Sequence, residues 1–161
     1  MPNATVRDAV AADLQRVGAI YAHEAEHGIS TFDTLGRPAE FWQDKLAAPD
    51  PLLVGLSGKI VAGFAYASVY RPRPAYDRTR EVSVYLAAEA RGQGIGRALY
   101  AELLGRLRAA GMHTALAVVA LPNEPSVRLH ESFGFTSAGT LREVGRKCDR
   151  WIDTAVLQLM L

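Results

Sequence analysis

The sequence predicts a single mixed α/β domain built around one sheet. Three observations carry that expectation. Segments with a two-residue apolar period alternate along the chain with segments of helical period. Thr114 to Leu121 is nearly all apolar, as expected of a strand covered on both faces. Between a strand-like run and a helical run lies a glycine-rich turn, Arg91-Gly92-Gln93-Gly94-Ile95-Gly96-Arg97. A length of 161 residues fits one domain with a real core. The 49% apolar and 22% charged content is that of an ordinary globular chain.

The elements follow in order. Val6 to Ala9 reads as a first strand. A helix follows with Asp13 in its first turn and Leu14, Val17, Ile20 and Tyr21 on its apolar face. His23 to Asp33 is polar, is interrupted by Gly28 and reads as a loop. Pro38 starts a second helix carrying Phe41, Trp42 and Leu46. Leu52 to Leu56 and Ile60 to Tyr70, joined by Ser57-Gly58-Lys59, form a hairpin. A proline-stiffened loop, Arg71 to Tyr76, leads to a strand from Arg80 to Leu86. On that strand Glu81, Ser83 and Tyr85 share one face and Val82, Val84 and Leu86 the other. A polar face on a central strand needs a reason, and an adjoining ligand cleft supplies one.

After the glycine turn, a helix from Ala98 to Ala110 carries Leu99, Leu103 and Leu107 on one stripe and ends at Gly111. The apolar strand from Thr114 follows. Asn123 and Pro125 then begin a helix that runs to Phe133-Gly134, with Asn123, Ser126 and His130 on one face. Thr136 to Val144 and Trp151 to Leu159 close the chain as two antiparallel strands. No repeat or linker marks a domain boundary, so residues 1–161 form one domain.

A glycine-rich turn opening a helix leaves backbone N–H groups free at the positive end of the helix dipole. With Arg91 and Arg97 beside them, those donors suit a phosphate-bearing ligand. A dinucleotide fingerprint is excluded, because the third glycine arrives one residue early and the turn sits past mid-chain. A nucleotide-hydrolase phosphate loop is excluded too, since no Lys-Ser/Thr pair ends the turn. A tight capped turn on the surface is the alternative.

The spacing Arg-Gly-x-Gly-Ile-Gly resembles the acyl-CoA loop of the GNAT acetyltransferases. Glu81-Val-Ser-Val-Tyr85, Leu121-Pro-Asn-Glu-Pro-Ser-Val-Arg-Leu-His-Glu131 and Trp151-Ile-Asp153 resemble the phosphinothricin N-acetyltransferase branch of that family. The likeness covers nearly the whole chain. It implies a mostly antiparallel central sheet flanked by helices, with the strands before the glycine turn and before the Asn123 helix splayed apart to admit CoA. It implies acetyl-CoA as co-substrate and no metal. The implied CoA contacts are Val84, Tyr85 and Leu86 with the pantetheine, and Arg91, Gly92, Gln93, Gly94, Ile95, Gly96 and Arg97 around the pyrophosphate. Asn123 and Ser126 would hold the pantetheine further along. Ser30-Thr31-Phe32 matches a segment lining the acceptor pocket, or else is a loop anchored by Phe32. The resemblance adds Arg71, Arg73, Tyr76, Ser83 and Tyr85 to the acceptor side, where an amino acid with a second anionic or polar tetrahedral group would sit. Solvated loop arginines are the alternative for Arg71 and Arg73. The branch also implies a homodimer, with which an exposed Trp151 would agree.

Acetyl transfer to an amine needs a base for the ammonium proton, close positioning, donors for the developing oxyanion and a proton for the departing thiolate. Glu81 is the candidate base, directly or through water; its alternative is an ion pair with Arg80 or Arg78. His130 is assigned a secondary acid–base or orienting role, against the alternative of a helix histidine bonded to a nearby carbonyl. The amide beside Val84 or Tyr85 is the expected oxyanion donor. Cys148 lies outside every motif, so no acetyl-cysteine step is expected, and transfer is direct within a ternary complex.

The expected acceptor is phosphinothricin or a similar small amino acid analogue. Methionine sulfoximine, methionine sulfone or a polyamine are rival acceptors, and a CoA-binding regulatory domain without turnover is a rival of another class. A net charge of +1 with no basic patch argues against nucleic acid or an anionic membrane. No apolar run reaches a membrane-spanning length, and the first five residues show no apolar signal core. One cysteine excludes an internal disulfide and fits the cytosol.

Overall fold

The computed structural model describes residues 4–161, so the start of the N-terminal stretch expected to lack a signal core lies outside the described residues. The strands are β1 (Thr5–Asp8), β2 (Leu52–Ser57), β3 (Ile60–Val69), β4 (Thr79–Leu86), β5 (Thr114–Ala120), β6 (Thr136–Lys147) and β7 (Arg150–Met160). The helices are α1 (Leu14–His27), α2 (Ala39–Ala47), α3 (Ile95–Ala109) and α4 (Glu124–Glu131). One seven-stranded sheet has the order β1-β2-β3-β4-β5-β7-β6. Every neighbouring pair is antiparallel except β4 and β5.

That exception positions the site. β4 and β5 pair only over Thr79–Thr114, Arg80–Ala115 and Glu81–Leu116. Beyond Glu81 the two strands part. Val82 to Leu86 keep their partners on β3, and Ala117 to Ala120 keep theirs on β7. The splay implied by the resemblance is therefore present, with Glu81 at its vertex.

Helices cover both faces. Leu99, Leu103, Leu104 and Leu107 of α3 are at most 1% exposed, and each contributes about 1.5–3 kcal/mol by leaving water. On the other face α1 and α2 bring Tyr21 and Trp42 edge-on to each other, with ring centres 5.3 Å apart. Trp42 stands edge-on over Phe64 at 5.4 Å, and Phe64 stacks on Tyr85 at 5.4 Å. Tyr85 and its face-mates Ser83 and Glu81 thus project toward α1 and α2. Leu86 turns the other way, its Cδ1 only 3.4 Å from where a Cβ on Gly96 of α3 would lie.

Three boundaries differ most from expectation. α1 continues to His27, and Gly28, whose N–H bonds the Glu24 carbonyl, caps it rather than breaking an earlier loop. α3 begins at Ile95, so Ile95, Gly96 and Arg97 are its first turn rather than loop. β6 continues to Lys147 across an irregularity between Leu141 and Gly145, where Glu143 takes φ 49°. The described helices include none long and apolar enough to cross a membrane.

Candidate active site

The splay opens into a cleft of about 740 Å³. One wall is the edge of β4 from Val82 to Leu86, the other Ala117 to Ala120 of β5, and Asn123, Ser126 and His130 of α4 close it with Tyr100 of α3. The C-terminal part of α1, with His23, Glu24 and His27, and then Gly28 to Ser30, line its far side.

The backbone phase of β4 decides which amides face this space. The Ala87 N–H donates to the Ala62 carbonyl at 2.9 Å, and the β3–β4 register is regular from there to Val69–Arg80. Backbone bonding alternates along an antiparallel pair, so Tyr85, Ser83 and Glu81 bond to β3. Val84 and Leu86, past the last pairing with β5 at Glu81–Leu116, turn their N–H and C=O groups to the open edge. Of the two amides expected as oxyanion donor, that of Val84 faces the opening and that of Tyr85 faces β3.

At the mouth, Arg91 and Gly92 belong to the lining. Gly92 and Gly94 adopt φ 74° and 79°, and a Cβ on either would meet nothing within 4 Å. Glycine is required there by backbone conformation rather than by crowding. Gly94 caps α3 without a side-chain bond. Among the described residues the N–H groups from Gly92 to Arg97 have no backbone acceptor. Those unsatisfied donors, at the N-terminus of a 15-residue helix, fit a pyrophosphate. Arg97 is pinned beside them, bonded to Ser132 Oγ at 2.9 Å with its guanidinium 5.1 Å from the Phe133 ring centre. Arg91 reaches Glu24 of α1 at 3.3 Å, and Gln93 bonds the Glu89 carbonyl at 2.8 Å.

α4 shows the expected shared face. The Asn123 side chain caps the helix by accepting from the Ser126 N–H at 3.3 Å. His130, 2% exposed, has Nδ1 2.6 Å from the Ser126 carbonyl. A carbonyl only accepts, so Nδ1 carries the proton and Nε2 is the acceptor. Its partner is the Tyr100 hydroxyl, 2.9 Å away and donating. The carbonyl bond set out as the alternative for His130 is thus present, and it leaves Nε2 for Tyr100. Burial holds His130 below the usual histidine range, with the Ser126 bond opposing. Burial also pushes the Tyr100 hydroxyl well up, so both groups are neutral at neutral pH. Tyr100 was not among the residues expected at the site from sequence. Its signal was a tyrosine inside a buried helix face, where the hydroxyl must find a partner.

Glu81 stands at the vertex, one residue beyond the lining. The arginine partners considered for it are engaged elsewhere. Arg80 donates to Asp50 at 2.8 Å, and Arg78 bonds the Gly111 carbonyl at 3.2 Å. Burial raises the Glu81 carboxyl above its ordinary range, and the Lys45 ammonium opposes that rise.

The expected acceptor residues separate into two groups. Ser83 and Tyr85 line the cleft. Thr31 is buried and committed to the fold: its hydroxyl is 2.7 Å from Tyr21 Oη and accepts from the Asp33 N–H at 3.1 Å. The Thr31 carbonyl accepts from the buried Lys147 ammonium at 2.8 Å. Phe32, 43% exposed, lies against Gly145 of β6, where a Cβ would collide with its ring. Arg71, Arg73 and Tyr76 are outside the lining. Arg71 lies 5.1 Å from the Tyr70 ring centre, and Tyr76 meets the same ring edge-on at 5.3 Å.

Residues 16–135 match the model of the Acetyltransferase (GNAT) family. A phosphinothricin N-acetyltransferase from Streptomyces viridochromogenes is 40% identical over 95% of this chain and 85% of its own length. An L-methionine sulfoximine/L-methionine sulfone acetyltransferase from Salmonella typhimurium is 33% identical over 98% of this chain and 94% of its own. The crystal structure of a GNAT superfamily phosphinothricin acetyltransferase from Sinorhizobium meliloti, in complex with AcCoA, superposes with a TM-score of 0.94. It is 39% identical and covers 98% of this chain and 88% of its own. Matches of that extent, on a sheet splayed at Glu81 with free amides at the Gly92–Arg97 turn, show that the chain belongs to the GNAT family of acetyltransferases.

Proposed function

We propose that this acetyltransferase moves the acetyl group of acetyl-CoA directly to the primary amine of phosphinothricin or a similar small amino acid analogue. The observation that carries the reaction is the open β4 edge running from Glu81 to the free amides of the glycine turn. Acetyl-CoA supplies the activated acetyl group, and the chain's own residues do the rest. The amides from Gly92 to Arg97 hold the pyrophosphate, and Asn123 and Ser126 flank the pantetheine. The open edge at Val84 and Leu86 binds the pantetheine amides, with the Val84 N–H donating to the carbonyl oxygen on which charge develops. Glu81, through water, takes the proton the ammonium must lose, and its raised proton affinity suits that task. Tyr100 gives a proton to the departing sulfur and regains one from water in the open cleft, and His130, whose Nε2 accepts from the hydroxyl, orients it.

The acceptor assignment draws on the relatives' substrates and on Ser83 and Tyr85 in the lining, with Thr31 and Phe32 forming the adjoining loop. Arg71, Arg73 and Tyr76 are assigned to the acceptor's anionic groups. Methionine sulfoximine and methionine sulfone are the second reading, favoured by the Salmonella typhimurium relative. The enzyme is further assigned to the cytosol, which the single free thiol of Cys148 suits, and to a homodimer, for which Trp151 at 58% and Val144 at 53% exposure supply an apolar surface.

Free-thiol release from acetyl-CoA, measured against phosphinothricin, methionine sulfoximine, methionine sulfone, ordinary amino acids and spermidine, tests the assignment. Saturable turnover with phosphinothricin is the expected result. Turnover confined to spermidine or ordinary amino acids would overturn the acceptor, and tight CoA binding without turnover on any amine would overturn the catalytic reading.

A further inference from the structure

Lys45 lies outside the cleft, and nothing in the reaction above uses it. It projects from the last turn of α2. Its ammonium donates to Ser68 Oγ at 2.5 Å and sits 4.8 Å from the Tyr66 ring centre. Ser68 is the β3 residue directly opposite Glu81, and Tyr66 is opposite Ser83. Side chains of directly opposed residues rise from the same face of a sheet. The ammonium is therefore fixed over the patch from which the Glu81 carboxyl rises, on the face that α2 covers. Asp50, the other carboxylate near Lys45, is already held by Arg80 at 2.8 Å. Glu81 has no ion pair among the described residues.

We propose that Lys45 is a positioning residue for acetyl transfer, whose ammonium, pinned by Ser68 and Tyr66, keeps the Glu81 side chain ionised at neutral pH and so able to accept a proton. The proposal rests on the reading of Glu81 as the base. A carboxyl that is buried without a nearby cation stays protonated and cannot take a proton from an ammonium. One that is tightly ion-paired is held too acidic to do so. A cation held near the carboxyl but bonded to a hydroxyl and an aromatic face lies between those limits. The pull of Lys45 on Glu81 opposes the upward push of burial.

The other groups around Glu81 cannot take this part. Tyr66 of β3 is pushed up to about 12 by burial, and Tyr100 of α3 is raised further. Both stay neutral through the working range. Arg80 on the same strand is engaged by Asp50. Leu116 faces Glu81 from β5 and carries no charge.

The test reads the titration of Glu81 itself. In protein labelled with ¹³C at glutamate Cδ, the Glu81 resonance is identified by its loss in Glu81→Gln. Its midpoint is followed in wild type, Lys45→Met, Lys45→Arg and Ser68→Ala, together with the acid limb of kcat/KM. Removing a nearby cation shifts a carboxyl by about one pH unit or more. In Lys45→Met both the midpoint and the acid limb are expected to move up by that amount, with kcat/KM recovering above the new limb. Lys45→Arg should hold both near wild type, and Ser68→Ala, which frees the ammonium without removing it, should give a smaller upward shift. A packing role for Lys45 would lower the melting temperature and leave the midpoint in place, and an unmoved midpoint in Lys45→Met overturns the proposal. A midpoint that moves while the acid limb does not would overturn Glu81 as the base, and with it the part of Lys45 in the reaction.

Discussion

Replacing Tyr100 by phenylalanine removes one hydroxyl and nothing else from the centre of the cleft. The ring keeps its edge-on contacts with His130 at 5.0 Å and Phe133 at 6.1 Å. His130 Nε2, however, loses its donor at a position where the histidine is 2% and the tyrosine 1% exposed. An orphaned buried acceptor costs about 1–3 kcal/mol. The adjoining cleft admits water, which sets the expectation at the low end, about 1 kcal/mol. For a chain of this size that lowers the melting temperature by about 2–4 °C. The kinetic effect is separate. A positioned proton donor is worth about 10²–10⁴ in rate, so kcat should fall at least about 10²-fold with the KM for acetyl-CoA nearly unchanged. Thiol release under saturating acetyl-CoA and a thermal melt on the same preparation measure both. A kcat within about twofold of wild type, alongside a lowered melting temperature, would refute the proton-donor role and leave Tyr100 as a prop for His130.

Gly94→Ala forces a side chain into φ 79°, at a cost of about 1–2 kcal/mol; KM for acetyl-CoA should rise more than kcat falls, whereas Gly105→Ala, in the interior of α3 with open space around it, should stabilise by about 0.5–1 kcal/mol and leave both constants alone. Glu81→Gln should lower kcat by about 10²–10⁴. Because burial raises Glu81, the stability tied to its protonated form is full below the unfolded carboxyl pKa and lost as pH rises through the folded value. The glutamine variant should therefore melt above wild type at neutral pH. His130 has the opposite sign: its folded pKa is depressed by burial, so its contribution is present above the ordinary histidine value of about 6.5 and lost as pH falls through the folded value. Melting temperature should decline on acidification below that point, and His130→Gln should flatten the decline.

The parts of this fold that were legible in sequence are those where one local rule acts alone. Alternation placed Glu81, Ser83 and Tyr85 on one face of β4, and their aromatic and helical neighbours confirm it. The glycine turn was found because two of its residues need a positive φ that other side chains resist. Where two rules compete, the reading slipped. The polar composition of His23 to His27 pointed to a loop, yet three of those residues line a cleft, and a helix wall beside a ligand site is polar for that reason. Gly28 then stops α1 after His27 instead of breaking it. Ile95 to Arg97 were assigned to the turn because glycine spacing dominates there, although backbone geometry makes them the first turn of α3.

The site was less legible than the fold because its critical relations join residues far apart in sequence. Tyr100 and His130 are 30 residues apart, and no periodicity connects them. Lys45 and Ser68 are 23 apart, and they meet the Glu81 environment only through the β3–β4 register. The same consideration explains why Thr31 carries less evidence for substrate contact than its motif promised. Its hydroxyl and carbonyl are taken by Tyr21, Asp33 and Lys147, the last 116 residues away. Those bonds instead fix where Phe32 lies on Gly145. The segment matched by resemblance can thus shape the acceptor pocket through a scaffold of three internal bonds, with Phe32 as the group left free to meet a substrate. That division has a consequence for engineering acceptor choice: substitutions at Phe32 should alter the KM for the amine alone, whereas Thr31→Val should lower the melting temperature before it alters specificity.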